Sequence, residues 1–169
     1  TDSKTKERCA MDLIIYAALG PEGTERRLAR RLLALALERE LGLPVLPEMA
    51  LEAGGKPCFP DRPDICFNLS HSHGAAVCAL HHLPVGIDVE RLRTPPKRLA
   101  GGMTDEAFFR LWTAKEATIK RQGLGLGALL RPLEPDPLCQ CLEGLLDGWV
   151  VTVCPSEAAE IRQVTVGTI

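Results

Sequence analysis

Between Val85 and Glu90 the chain alternates strictly: apolar residues stand at the odd positions, and glycine, aspartate and glutamate at the even ones. Side chains that change face at every residue define a strand. Ile87 and Val89 therefore belong to a core, while Asp88 and Glu90 share the opposite face. Residues two apart on a strand have Cα atoms roughly 7 Å apart, so the two carboxylates can chelate one hard cation together, with Mg²⁺ the natural candidate. Taken alone, such a pair is a solvated strand face more often than a metal site. Its neighbours in the sequence decide between the two.

The remaining pattern mixes strands and helices. Asp12–Leu19 is short, apolar and β-branched in its middle, and Gly20, Pro21 and Gly23 follow it, which predicts a strand. From Thr24, a plausible N-cap, Leu28, Leu32, Leu35 and Ala36 recur near helical spacing until Gly42 and Pro44 stop them. Gly54–Pro57 is a loop. Strands are expected over Ile65–Leu69, broken by Ser70–Gly74, and over Ala75–His82. Thr104 can cap a helix with Asp105 and Glu106 in its first turn, running to about Arg121 and ending at Gly123. Strands near Leu138–Leu142, Trp149–Cys154 and Val164–Gly167 complete the chain, the first two joined by an Asp147-Gly148 turn. There is no βαβ regularity, so the class is α+β.

Composition removes several function classes. With 20 basic against 22 acidic side chains, no long-range field attracts nucleic acid. The apolar runs Leu13–Leu19 and Leu32–Leu37 are too short to span a bilayer, and Thr1–Arg8 carries no secretory apolar core, so a cytoplasmic protein without a membrane partner is expected. Seven cysteines, at positions 9, 58, 66, 78, 139, 141 and 154, lack paired CxxC spacing. They read as reduced and largely buried, and Cys139-x-Cys141 as structural.

Three further groups carry potential chemistry. Trp112, Glu116 and Lys120 recur at i, i+4 and i+8 on one helical stripe. They form either a surface ion pair beside a packed tryptophan, or a third metal ligand or general base (Glu116) with a phosphate-binding cation (Lys120). Asn68-Leu69-Ser70-His71-Ser72 sets small polar groups at a strand end, able to bind phosphate oxygens or to stabilise a turn. His71-x-His73 has no third ligand at a zinc spacing. Arg26, Arg27, Arg30 and Arg31 crowd the start of a helix, where positive charge opposes the dipole; an anion or the nearby glutamates Glu22, Glu25, Glu38 and Glu40 would compensate.

In order, Gly55–Pro57 (GKP), Phe67–Ser72 (FNLSHS), Gly86–Glu90 (GIDVE) and Phe108–Lys120 (FFRLWTAKEATIK) resemble the motif series of the surfactin-synthetase-type 4′-phosphopantetheinyl transferases. The resemblance covers roughly residues 24–127, including Gly123-x-Gly125. It implies two similar α+β halves in a pseudo-dimer, residues 1–83 and 84–169 with the seam near Leu83–Val85, and coenzyme A in the cleft between them. It further implies that Asp88, Glu90 and Glu116 hold Mg²⁺ on the pyrophosphate. Lys120 and Ser70 would contact the phosphates, His71 would lie near the 3′-phosphate, and Lys56 with Pro57 would line the nucleotide site. Arg26 and Arg27 match the family's basic nucleotide contacts only loosely.

The activity implied is Mg²⁺-dependent transfer of phosphopantetheine to a serine of an apo acyl or peptidyl carrier protein, releasing adenosine 3′,5′-bisphosphate. Glu116 would take the serine proton and Lys115 would assist through a water, although on a helix it points about 100° away from Glu116. A monomer is expected. The interval from Glu90 to Trp112 is shorter than is usual for the family, which makes this either a compact member or a chain with a loop omitted near Pro96–Gly102. The alternative is a catalytically silent module that binds coenzyme A or a nucleotide; the joint presence of Asp88, Glu90, Glu116 and Lys120 argues against it.

Overall fold

The computed structural model describes residues 11–167 and 169; Cys9 and the Thr1–Arg8 stretch lie outside the described residues. In chain order the elements are β1 (Leu13–Leu19), α1 (Glu25–Leu41), β2 (Ala50–Leu51), β3 (Pro57–Cys58), β4 (Cys66–Ser72), β5 (Ala75–His81), β6 (Gly86–Arg91), α2 (Lys97–Ala100), α3 (Asp105–Gln122), β7 (Gln140–Cys141), β8 (Trp149–Cys154) and β9 (Ile161–Thr165), with a 3₁₀ turn at Leu126–Leu130. The mixed α+β class expected from the sequence is what forms.

One sheet has the order β4-β5-β1-β9 and the other β6-β8-β7, with β2 and β3 a separate ribbon. All pairs are antiparallel except β1 with β9. One face of the first sheet, with Ile14, Tyr16, Phe67, Cys78 and Leu80, buries Leu28, Leu32, Leu33 and Leu37 of α1. Its other face, with Leu13, Ile15, Val77 and Ala79, meets Ile87, Val89, Val151 and Val153 of the second sheet in a second core, which Leu142, Leu145 and Leu146 complete. Phe108 and Phe109 of α3 cover Val150 on the far side. The layers therefore run helix, sheet, sheet, helix, and each fully buried aliphatic side chain contributes about 1.5–3 kcal/mol.

β4 runs on through Ser72, past the break expected at Ser70. Its polar residues do not disrupt the strand because alternate ones face polar partners on β6, and the chain turns only at His73 and Gly74. Both have positive φ, 44° and 90°, as a two-residue hairpin turn requires. The two helix starts also differ. Thr104 caps α3 by accepting a hydrogen bond from the Ala107 N–H at 3.2 Å, whereas Thr24 occupies the N-cap of α1 without capping it and donates its hydroxyl to Pro21 O at 2.7 Å. The last strand pairs over Ile161–Thr165 rather than from Val164 onward.

Two glycines set how closely layers approach. A Cβ on Gly86 would stand 1.9 Å from Ala117 O, so α3 can lie on β6 only because that side chain is absent. A Cβ on Gly54 would stand 1.6 Å from Gly123 O, which lets the Gly54–Pro57 loop abut the end of α3. Among the described residues no helix is long and apolar enough to cross a membrane.

Candidate active site

β4 and β6 are neighbouring edges of the two sheets, and the alternation in Asn68-Leu69-Ser70-His71-Ser72 decides how they join. Leu69 faces the α1 core, while Asn68, Ser70 and Ser72 face β6. Asn68 Oδ1 accepts from the Ile87 N–H at 2.8 Å, Ser70 Oγ accepts from the Val89 N–H at 3.2 Å, and Ser72 Oγ donates to Glu90 Oε2 at 3.3 Å. Side chains thus satisfy edge donors that no strand covers, each of which would otherwise cost about 1–3 kcal/mol when buried.

Above this seam α3 delivers Lys120. Its ammonium donates to Asp88 Oδ1 at 2.6 Å, Ser70 Oγ at 3.1 Å and Ile87 O at 3.2 Å, which uses all three of its donors. Asp88 also accepts from Ser70 Oγ at 3.0 Å. Burial pushes the Asp88 carboxyl up and the Glu90 charge adds to this, while Lys120 and the Ser70 hydroxyl pull it down. Its second oxygen, Oδ2, is buried with no hydrogen-bond partner among the described residues.

Glu116 lies one turn earlier on α3 and is buried. Desolvation raises its carboxyl, the charges of Asp88 and Glu90 raise it further, and Lys120 opposes them. Glu90 sits at the rim, where Arg93 Nη1 donates to its Oε2 at 3.1 Å. The three carboxylates are thus drawn to one region, where the Lys120 ammonium pairs with Asp88. Among the described residues no three His, Cys, Asp or Glu side chains form a ready-made metal cage. The donor set still fits a hard cation: all its donors are carboxylate oxygens, one of them buried and unpartnered.

A cavity of about 230 Å³ opens beside this cluster, lined by Gly54–Pro57, Asn68, Leu69, Glu116, Lys120 and Gly123–Gly125 among others. It brings together Lys56, Pro57, Glu116 and Lys120 from residues far apart in the chain. Lys56, half-buried, donates to Val85 O at 2.9 Å and Arg121 O at 3.3 Å, and desolvation lowers its ammonium. It holds the start of β6 against the end of α3. A neighbouring cavity of about 370 Å³ shares Lys56 and Pro57 and adds Phe59, Phe67 and Arg121.

Other candidates stand apart. Lys115 lines a different cavity, of about 220 Å³, with Phe108, Trp112 and Arg131, as its helical angle from Glu116 demands. His71 is exposed at the far end of β4, close enough to Glu25 for its charge to lower that carboxyl, after the backbone N–H groups of Glu25 and Gly74. Arg26 and Arg27 are exposed on the first turn of α1. The sequence marks Asn68 for a phosphate or turn role rather than for the seam, and does not mark Arg121 at all. Asn68 carries the first bond of the seam, and its signal is the alternation of small polar residues with Phe67 and Leu69. Arg121 pairs with Asp136 at 2.6 Å, and no local pattern announces a partner fifteen residues away.

Residues 84–144 match the model of the 4′-phosphopantetheinyl transferase superfamily. The chain is 39% identical over 88 residues to the 4′-phosphopantetheinyl transferase Sfp of Bacillus subtilis, covering 43% of this chain and 39% of that protein. It is 36% identical over 115 residues to HetI of a Nostoc species, covering 52% and 48%, and 33% identical over 133 residues to AcpT of Salmonella typhi, covering 63% and 64%; both are named as 4′-phosphopantetheinyl transferases. The chain therefore spans about two fifths to two thirds of the length of these relatives. The 88 positions aligned with Sfp occupy only 43% of the 169 residues, so the chain is the shorter of the two within the matched stretch. Residues 84–144, which hold Asp88, Glu90, Glu116 and Lys120, are thus the part of this chain that is similar to the 4′-phosphopantetheinyl transferase superfamily.

Proposed function

We propose that the protein transfers the 4′-phosphopantetheine group of coenzyme A to a serine of an apo acyl or peptidyl carrier protein and releases adenosine 3′,5′-bisphosphate. The observation that carries this reading is the buried Asp88–Lys120–Ser70 cluster, with an unpartnered carboxylate oxygen, beside Glu116 and a cavity, its Asp88, Glu116 and Lys120 lying in the segment similar to the transferases. Asp88, Glu90 and Glu116 would hold Mg²⁺. When bound, the ion supplies neutralising charge to the pyrophosphate oxygens.

The chain's own residues do the rest. Glu116, its carboxyl raised by burial, is suited to accept the proton of the carrier serine hydroxyl. The serine oxygen attacks the β-phosphorus in line, and the bond to the leaving bisphosphate breaks. Lys120 brings positive charge to the cavity wall where phosphate oxygens would gather. Ser70 contacts the same phosphates as Lys120, Lys56 and Pro57 line the nucleotide side of the site, with His71 near the 3′-phosphate and Arg26 and Arg27 as outer nucleotide contacts, and Lys115 assists through a water. This reading takes the two sheet-and-helix layers as two similar halves meeting near Leu83–Val85, acting as a cytoplasmic monomer.

Intact-mass spectrometry of several apo carrier proteins incubated with the protein, coenzyme A and Mg²⁺, with an EDTA control, tests it. The expected result is a metal-dependent gain of one phosphopantetheine. No gain on any carrier while coenzyme A still binds would overturn the transferase reading in favour of a silent binding module.

A further inference from the structure

β7 pairs with β8 in a register that sets Gln140 opposite Val153 and Cys141 opposite Thr152. One residue further along, Cys139 stands opposite Cys154. The Leu142 N–H donates to Val151 O at 2.8 Å, so the hydrogen-bonded positions are 142 with 151 and 140 with 153. That leaves 139 with 154 as a non-hydrogen-bonded pair. Such pairs are the narrow ones, with Cα atoms about 4.5 Å apart, within the range a disulfide spans. In keeping with this, the Cys139 N–H turns away from β8 and donates to Asp136 O at 3.0 Å.

Both sulfurs point to the same spot under α3. Thr118 Oγ1 is 3.3 Å from Cys139 Sγ and 4.0 Å from Cys154 Sγ, and the Cys139 thiol also reaches Ala114 O at 3.5 Å. The two cysteines differ in access: Cys139 is half-buried, whereas Cys154 is sealed at 0% exposure. The Cys139 thiol is lowered to about 7, first by its hydrogen bond with Cys154 and then by Thr118 and Arg121, against burial and the charge of Asp136. Burial instead raises Cys66, Cys78 and Cys141. Among these, the accessible nucleophilic sulfur is Cys139, and its resolving partner is already in contact.

We propose that Cys139 and Cys154 form a peroxide-sensitive pair that closes to a cross-strand disulfide beneath α3. The Cys139 thiolate attacks one oxygen of hydrogen peroxide, the O–O bond breaks, and hydroxide leaves and is protonated to water, which makes Cys139 a sulfenic acid. The Cys154 sulfur then attacks the Cys139 sulfur; the S–S bond forms, the S–O bond breaks, and the oxygen departs as water with the Cys154 proton. Two thiols are oxidised by two electrons and one peroxide is reduced to two waters; a small dithiol reverses the change. Closure removes the S–H donors that reach Ala114 O from Cys139 and Pro155 O from Cys154; Ala114 lies two residues before Glu116.

The test uses the full chain, reduced, exposed to hydrogen peroxide, alkylated under denaturing conditions and digested for mass spectrometry. The expected product is a peptide pair joined through Cys139 and Cys154, two hydrogens lighter than the free thiols and released by dithiothreitol. Cys139→Ser should abolish the pair with an unchanged far-UV circular dichroism spectrum. In Cys154→Ala, Cys139 should be trapped by dimedone as a sulfenic acid. Recovery of both cysteines alkylated after wild-type oxidation, Cys139 as sulfinic acid beside alkylated Cys154, or a bridge from either to another cysteine would each overturn the proposal. The wild-type result decides the matter even if a variant does not fold.

Discussion

Replacing Lys120 by methionine keeps the apolar stem of the side chain and removes only the ammonium. Asp88 would then retain the single Ser70 bond at 3.0 Å to Oδ1 and nothing on Oδ2. The pair it leaves is short, 2.6 Å, and little exposed, 27% for the lysine side chain and 6% for the aspartate. Removing one partner from a buried pair costs about 3–5 kcal/mol, because an uncompensated charge stays behind. The loss should depend on pH. Burial already raises the Asp88 carboxyl above its usual range, and without Lys120 it rises further. A folded state that binds its proton more tightly than the unfolded chain is most stable below that range and loses stability as pH rises through it, by up to about 1.4 kcal/mol per unit. The deficit of Lys120→Met at pH 7 should therefore shrink toward pH 5. Asp88→Asn combined with Lys120→Met should recover most of it, giving a coupling of about 2–3 kcal/mol in the double-mutant cycle. Urea unfolding of the three variants and the parent, followed by circular dichroism at pH 5 and pH 7, measures all of this. A Lys120→Met loss below about 1 kcal/mol, or one identical at both pH values, would refute the buried-charge account.

Glu116→Gln should lower phosphopantetheine transfer by at least about 100-fold, the lower range for a lost general base, with its unfolding midpoint near the parent's; an unchanged rate in the intact-mass assay would remove Glu116 from the chemistry. Asn68→Ala strips the acceptor from the Ile87 N–H and should cost about 1–3 kcal/mol in urea unfolding. Gly86→Ala forces a methyl to within 1.9 Å of Ala117 O and should cost about 3 kcal/mol or more; a thermal melt matching the parent would show that α3 does not rest on β6 as described. Burial raises both Asp88 and Glu116, so acid competes with a cation for their carboxylates more strongly than it would in solvent. Mg²⁺ affinity measured by calorimetry should therefore strengthen from pH 5 to pH 7, with proton release.

The sequence carried the local elements well wherever one period dominated. Val85–Glu90 alternated because one face of β6 meets the inter-sheet core and the other meets α3, and α1 and α3 ended at Gly42 and Gly123, both left-handed caps. It failed where a tertiary partner overrode the local signal. Ser70, His71 and Ser72 look like a strand terminator, yet all three pair with β5, and the proximity of β6 gives Ser70 and Ser72 polar partners on one face. The same holds within the site. Asp88, Glu116 and Lys120 could be named from spacing and resemblance, but that Lys120 would be fully engaged by Asp88, Ser70 and Ile87 depends on the distance between α3 and the seam. A missing side chain at Gly86 sets that distance. Lys56 likewise reads as a loop cation, yet its partners are two carbonyls near residues 85 and 121 that no local window contains.

The parallel pairing of β9 with β1 also constrains how the chain can be made. Leu13–Leu19 is synthesised well before the strand that lies beside it, Ile161–Thr165, with β6, α3 and β8 made between them. During translation one edge of β1 stays open for the whole of that interval, exposing unpaired backbone groups of an almost wholly apolar strand. The N-terminal layer therefore cannot mature on its own before the rest of the chain exists, and interrupted or slowed synthesis should leave an intermediate prone to pairing that edge with another copy.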